Sequence, residues 1–459
     1  MSGSTIPTNM LPKRLKVAER AKKYPEERIR SLAHHIDVDA LSRAFDRIRK
    51  DAAVGVDGIT KEAYGENLEQ NLQDLHERLR SMRYRHQPIR RVYIPKEKGK
   101  ERPIGVSTIE DKLVQDALRE LLELLYEPLF LDCSHGFRPG RKAHDALRVV
   151  DRAVHDGEAR FILEFDIQSF FDSVNRQALS EMLQDRVADK SLMRLIGKCL
   201  HVGVLDGGKY TTPDEGTVQG SVLSPILGNI YLHHVLDLWF ERDVKPRMRG
   251  KAVFVRYADD GVFGFERRDD AERMMRVLAQ RLQRFGLKLN LEKTRLVDFQ
   301  RPALGQLGGK GRATFDFLGF TLYWLRGRVG RWRMTCKTRH ARLQRAKHAL
   351  YDWCRRHRHL PIGQQHAALK RRIQGHFNYF GVRGNERSLT LLIEYTRRAW
   401  FKWLNRRSQR RSYTWARFAD VLRAYPLPKP WTTIFLWGSA SQVALAEEPD
   451  GGNLLVRFR

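Results

Sequence analysis

Cysteine is scarce in this sequence: four residues in 459, Cys133, Cys199, Cys336 and Cys354, with no C-x-x-C pair among them. Such dispersal argues against a cysteine-ligated zinc module and a disulfide framework, and it fits a reducing compartment. Long apolar runs are also missing. No stretch approaches the ~20 consecutive apolar residues that a bilayer span requires, so no membrane partner is expected. The opening "MSGSTIPTNMLPKRLKVAERAKK" carries no apolar signal-peptide core, and the expected location is cytoplasmic. Internal repeats and low-complexity tracts are absent as well. The acidic residues are in deficit, 54 Asp and Glu against 84 Lys and Arg, for a formal charge of +30. An excess of that size along the whole chain calls for a polyanionic partner, nucleic acid first.

With 42% hydrophobic and 10% aromatic residues the chain can bury a substantial core, and its length suggests several subdomains. Residues 1–26 read as a basic, polar arm. Val38, Leu41, Phe45 and Ile48 recur at helical spacing after Asp37, a suitable N-cap, and a charged amphipathic helix follows over about 65–82. "IRRVYIPKEKGKERPIGV" (89–106) predicts two strands about a Lys/Gly turn. "ARFILEFDIQSFFDSV" (159–174) begins as a strand with Phe161, Leu163 and Phe165 on one face and Asp166 at its end. "AVFVRYADDGVFGF" (252–265) predicts a hairpin turning at Ala258-Asp259-Asp260-Gly261, with Asp-Gly as the turn signal. Next come a helix with Met275, Leu278, Leu282 and Phe285 inward and Gly286 as its stop, then a strand and turn over 287–294 and a further strand at 315–324. Beyond about 330 the pattern turns to basic helices rich in aromatics, near 338–359, 362–380 and 386–407, and the residues after Trp437 read as a tail. The histidines there (His340, His348, His357, His359) lack metal-ligand spacing.

Asp166, Asp259 and Asp260 thus stand at strand ends or a hairpin tip. Adjacent carboxylates repel one another and are costly beside apolar surface unless something neutralises them. Paired aspartates next to a glycine most often mark an exposed turn. If the two strands are neighbours in one sheet, however, the carboxylates converge, and two divalent cations remove the repulsion. Hard oxygen ligands suit Mg²⁺, with Mn²⁺ as a substitute, and a two-ion clamp serves in-line nucleotidyl transfer. The Ile167 carbonyl is a candidate additional ligand.

The surrounding stretches, in order, resemble the reverse transcriptases encoded by group II introns. "IPKEKGKERPIGVSTIEDKLVQDAL" (94–118) and "SHGFRPGRKAHDAL" (134–147) are similar to the fingers motifs, and "FDIQSFFDSV" (165–174) to the first palm motif. "EGTVQGSVLSPILGNIYLH" (215–233), "RYADD", "GLKLNLEKTR" and "FDFLGF" complete the set, so that the likeness covers about 28–325. "GHFNYFGV" (375–382) extends it toward a thumb.

The resemblance implies an α+β right-hand polymerase: fingers, a palm with an antiparallel sheet, a helical thumb and an N-terminal helical extension. The expected division is 1–85 for arm and extension, 86–330 for fingers and palm, 331–437 for thumb and maturase-like region, and 438–459 for the tail. It implies metal ligation by Asp166, Asp259 and Asp260, and triphosphate contact by Arg102 with Lys96 or Lys100. Gln219 would lie near the incoming nucleotide, Phe171 under its sugar to exclude a ribose 2′-OH, and Lys293 after the palm helix. Expected partners are structured intron RNA or another RNA template, a DNA primer or target, and dNTPs. Where the family usually reads P-Q-G-G, this chain has Val218-Gln219-Gly220-Ser221, so the loop that meets the template or nucleotide is expected to differ at Val218 and Ser221. The Cys-rich HNH endonuclease motif of many relatives is missing from the sequence, so target cleavage is not expected of it. Two alternatives stay open: a domesticated enzyme of DNA repair or phage defence, and a splicing maturase without polymerase activity.

Overall fold

The computed structural model describes residues 12–95, 101–212, 215–217, 219–303, 313–326, 332–407 and 413–436. Helices α1 (Pro12–Lys23), α2 (Val38–Arg47), α3 (Lys61–Gly65) and α4 (Leu68–Arg80) come first. The hairpin β1 (Ile89–Pro95) and β2 (Glu101–Val106) leads into α5 (Ile109–Tyr126) and α6 (Ala143–His155). After β3 (Phe161–Asp166) come α7 (Arg176–Gln184), α8 (Lys190–Leu200), β4 (Val204–Asp206) and β5 (Lys209–Thr211). Helix α9 (Ser224–Leu232) runs on through two π-helical turns, His233–Asp237 and Phe240–Val244. The hairpin β6 (Ala252–Tyr257) and β7 (Asp260–Phe265) is followed by α10 (Arg268–Gln283), β8 (Arg295–Asp298), β9 (Phe315–Phe317), β10 (Phe320–Arg326) and β11 (Trp332–Thr338). Four helices close the chain: α11 (His340–Arg356), α12 (Ile362–Phe380), α13 (Glu386–Leu404) and α14 (Trp415–Ala424).

Short polar side chains start many of these helices. Asp37 accepts from the Ala40 N–H to cap α2, as expected, and Thr108 caps α5 through the Asp111 N–H. Each such cap stabilises by roughly 0.5–2 kcal/mol.

The strands form three sheets, ordered β6-β7-β3-β8, β2-β1-β4-β5 and β11-β10-β9. The first is antiparallel throughout and divides two apolar cores. Phe161, Leu163 and Phe165 of β3 point into the core built with α5, α9 and α10, as the alternation predicts. The intervening Ile162 enters a second core, shared with α6 and the C-terminal helices. Both faces are therefore covered, which is why β3 is buried almost end to end.

Several sequence expectations need correction. In α10 it is Met274, not Met275, that is buried with Leu278 and Leu282; Met275 is 39% exposed. Within 287–294 the expected turn is present, but the expected strand is only an isolated bridge from Leu289 to Ile167, and the regular strand falls at Arg295–Asp298. The expected strand at 315–324 is a tight hairpin, β9 and β10, because Leu318 and Gly319 both take positive φ (50° and 80°). Strand β11 and helix α14 were not anticipated. The expected boundary at residue 330 lies between β10 and β11, which pair antiparallel in one sheet.

Candidate active site

Asp166 and Asp260 sit directly opposite each other in the β3–β7 register, a placement that puts Cβ atoms about 4.5–5.5 Å apart. Tyr257 pairs with Asp260, so the hairpin loop is the two residues Ala258 and Asp259. The sequence reading put the turn one step late. Asp260 and Gly261 belong to β7, and the positive φ falls on Ala258 (58°). Gly261 is small for a packing reason: a Cβ there would lie 2.8 Å from the Phe165 ring.

A strut beneath the hairpin holds that tip, and the sequence reading missed it. The buried Arg256 donates through Nε and Nη2 to the two Asp237 carboxylate oxygens, at 2.6 and 2.7 Å. Its Nη1 donates to Asn229 Oδ1 at 2.8 Å and to the Ala258 carbonyl at 3.3 Å. Burial alone would raise the Asp237 pKa, but Arg256 outweighs it and holds this carboxyl below the usual range. Asn229 Nδ2 also donates to the Gly136 carbonyl at 2.7 Å. Gly136 lies so close behind the loop that a Cβ would come within 2.2 Å of the Ala258 nitrogen. One signal was available: an arginine inside an apolar strand requires a buried partner.

The electrostatics of the tip follow from crowding. Burial, then Asp166, raises the pKa of Asp259, while Arg102 and Lys293 oppose the shift. The Asp260 side chain reaches solvent, yet the protein around it, then Asp259 and Asp166, push its pKa up to about 7. Asp166 accepts from Lys293 Nζ at 2.8 Å and from Asn290 Nδ2 at 2.9 Å. Among the described residues no three His, Cys, Asp or Glu side chains form a ready ligand cluster. The donor set still suits a hard divalent cation, since all three side chains are carboxylates and mutual repulsion is the strain that a cation relieves.

The other predicted residues separate into groups. Arg102 lies on β2 opposite Ile94, and its charge acts on both Asp259 and Asp172. Lys96 and Lys100 fall outside the described residues, as does Val218. Ile167 is buried directly after β3 and bridges to Leu289. Phe171 is half-buried beside Gly228, where a Cβ would lie 3.3 Å from its ring, and its carbonyl accepts from the Thr217 N–H at 2.6 Å. The Gln219 carbonyl accepts from the Gly105 N–H at 2.7 Å, docking its loop onto β2. Ser221 has a use of its own: its hydroxyl donates to Gln115 Oε1 at 3.0 Å, and Gln115 Nε2 donates to Ser107 Oγ at 3.1 Å.

Among the described residues no helix is long and apolar enough to cross a membrane. Residues 94–322 match the family described as reverse transcriptase (RNA-dependent DNA polymerase). The chain is 34% identical over 244 residues to the group II intron-encoded protein LtrA of Lactococcus lactis subsp. cremoris, covering 50% of this chain but 40% of LtrA. It is 34% identical over 313 residues to protein YkfC of Escherichia coli (strain K12), covering 61% of this chain and 78% of YkfC. It is also 32% identical over 142 residues to nuclear intron maturase 4, mitochondrial, of Arabidopsis thaliana, covering 30% of this chain and 17% of that protein. The chain thus spans less than half the length of LtrA. Motif order, hairpin geometry and these relatives agree: the chain belongs to the group II intron-encoded reverse transcriptases and maturases.

Proposed function

We propose that this chain is an RNA-directed DNA polymerase that also binds intron RNA to assist splicing and retrohoming. The observation that carries the reading is the register of Asp166 opposite Asp260, with Asp259 at the adjoining tip. A protein that only binds RNA has no use for three carboxylates held against their own repulsion. In this reading 86–330 are fingers and palm, 331–437 thumb and maturase-like region, with the N-terminal helices as an RNA-contacting extension. The site lies where fingers and palm meet.

Asp166, Asp259, Asp260 and the Ile167 carbonyl would hold two Mg²⁺ ions, which when bound supply charge neutralisation at the attacking and leaving oxygens. Arg102 offers a planar cation for the triphosphate, and Lys96 and Lys100, on the same hairpin in sequence, add charge. Gln219, anchored through its carbonyl on β2, lines the nucleotide. Phe171, held by Thr217 and Gly228, sets the height of the floor under the sugar and so selects dNTPs over rNTPs. Lys293 and Asn290 orient the Asp166 carboxylate through their hydrogen bonds.

Primer extension on an RNA template tests the reading. Asp259→Asn should abolish dNTP incorporation while RNA affinity stays within about two-fold. Extension at the wild-type rate would overturn the assignment of the carboxylates. RNA crosslinked to the inactive variant in its native cell separates the two uses of the enzyme. One dominant structured RNA supports a maturase, and diverse RNA supports a domesticated polymerase.

A further inference from the structure

A second site stands apart from the aspartates, between the π-helical extension of α9 and helix α10. It is a pocket of about 290 Å³, at the small end of ligand clefts. Trp239, Val244, Met248 and Val277 make an apolar floor, and four arginines face one acid, Asp243, around it. None of its lining residues belongs to the site described above. α10 itself lies against β3, β7 and β8, so the pocket is on the face of the sheet that α10 covers.

The pocket is charged and also pre-ordered. Arg281 donates through Nε to the Val235 carbonyl at 2.8 Å and through Nη2 to the His234 carbonyl at 3.1 Å. Its guanidinium rests 5.4 Å from the Trp239 ring centroid and 4.6 Å from that of Phe285. Two hydrogen bonds and two rings fix the plane of this cation, which lines the pocket beside the apolar floor. Planar guanidinium and indole surfaces are what unpaired bases stack on. Arg247 and Arg284 at the rim are exposed, where the phosphates on either side of such a base would pass.

We propose that this pocket takes one unpaired nucleobase of an RNA strand, with the flanking phosphates held by Arg247, Arg273 and Arg284. The proposal rests on the reading of the chain as an RNA-handling enzyme and adds a docking point outside the cleft. Charge sets the class of the occupant: the lining carries four cations to one anion and the chain a formal charge of +30. Size and shape set its form, since the volume accommodates a flat ring and leaves no room for a duplex. An acidic peptide satisfies the arginines but does not use the pinned plane of Arg281.

The probe is a single-stranded RNA of about 20 nucleotides carrying 4-thiouridine, with a fully paired duplex of the same length as control. Crosslinks are expected on residues 239–248 or 273–284. Arg247→Glu/Arg284→Glu should weaken single-strand binding about ten-fold and flatten its salt dependence by about 0.7 per lost phosphate, with duplex affinity unchanged. Both residues are exposed, so the variant should keep the wild-type melting temperature. Trp239→Leu should lose the crosslink while keeping the salt dependence. Affinity within two-fold of wild type, or crosslinks confined to other segments, overturns the proposal. So does a polyglutamate peptide that binds here where the RNA does not, which would assign the pocket to an acidic protein partner. Primer extension on a pre-annealed template should be unchanged in every variant, so failure here leaves the polymerase reading standing, whereas an inactive wild-type protein would sink that reading instead.

Discussion

Replacing Arg256 by Met removes the cation from under the hairpin that carries Asp259 and Asp260. Arg256 and Asp237 are both buried, with exposures of 1% and 0%, and share two hydrogen bonds. Without its partner the Asp237 carboxylate is left charged and dehydrated, and breaking such a pair costs about 3–5 kcal/mol. A whole domain has only about 5–15 kcal/mol in hand, so the loss should appear plainly in guanidinium unfolding followed by far-UV circular dichroism. Replacing both members, Arg256→Met with Asp237→Leu, removes the orphaned charge along with the cation. Most of the lost stability should therefore return. Activity should not return with it. The double variant still lacks the hydrogen bonds from Arg256 to Asn229 and the Ala258 carbonyl, and a tip displaced by about 1 Å can cost 100-fold in rate. The pH dependence has a defined sign. Asp237 has a depressed folded-state pKa, so its contribution is present above the unfolded value of about 3.9 and is lost as pH falls through the folded value. A single-variant cost under about 1 kcal/mol, or single costs that simply add in the double variant, would refute this account of the strut.

Three further outcomes follow from named contacts. Gly136→Ala forces a methyl into the Ala258 backbone and should cut primer extension at least about ten-fold with primer–template affinity retained, which a gel-shift and extension assay on one preparation separates. Asp151, buried in α6, has its pKa pushed up to about 7 by burial and then by Asp156; its charged form is disfavoured in the fold, so a penalty builds as pH rises from the unfolded value toward 7. Asp151→Asn should therefore raise the melting temperature more at pH 8 than at pH 5, and an equal gain at both would contradict the assignment. Phe171→Ala should raise rNTP relative to dNTP incorporation by about ten-fold or more, given that a steric contact of this kind is worth about 1–3 kcal/mol; unchanged selectivity in single-nucleotide assays would return Phe171 to a packing role beside Gly228.

Local chemistry was legible wherever it depends on nearest neighbours. The charge excess, the dearth of cysteine, the Asp37 cap and the alternation of Phe161, Leu163 and Phe165 are written in single residues or short periods, and each reads the same in the folded chain. The three aspartates were legible too, because carboxylates at the ends of apolar strands are conspicuous against their surroundings. What the strands meet was not legible. That β3 has both faces covered, that Met274 rather than Met275 is inward, and that β11 completes a sheet with β10 depend on residues far apart in the chain. The turn residue is the same kind of case. Asp-Gly is the better local turn signal, but the Phe165 ring claims Gly261 for packing and the loop falls on Ala258 and Asp259. Sequence by itself determined the inventory of charges and the local elements that carry them. Only the tertiary structure decided that Asp166 faces Asp260, that Lys293 and Asn290 bind Asp166, and that Arg256 reaches Asp237 beneath the tip, because a carboxylate's partner is set by what the folded sheet brings within about 3 Å of it.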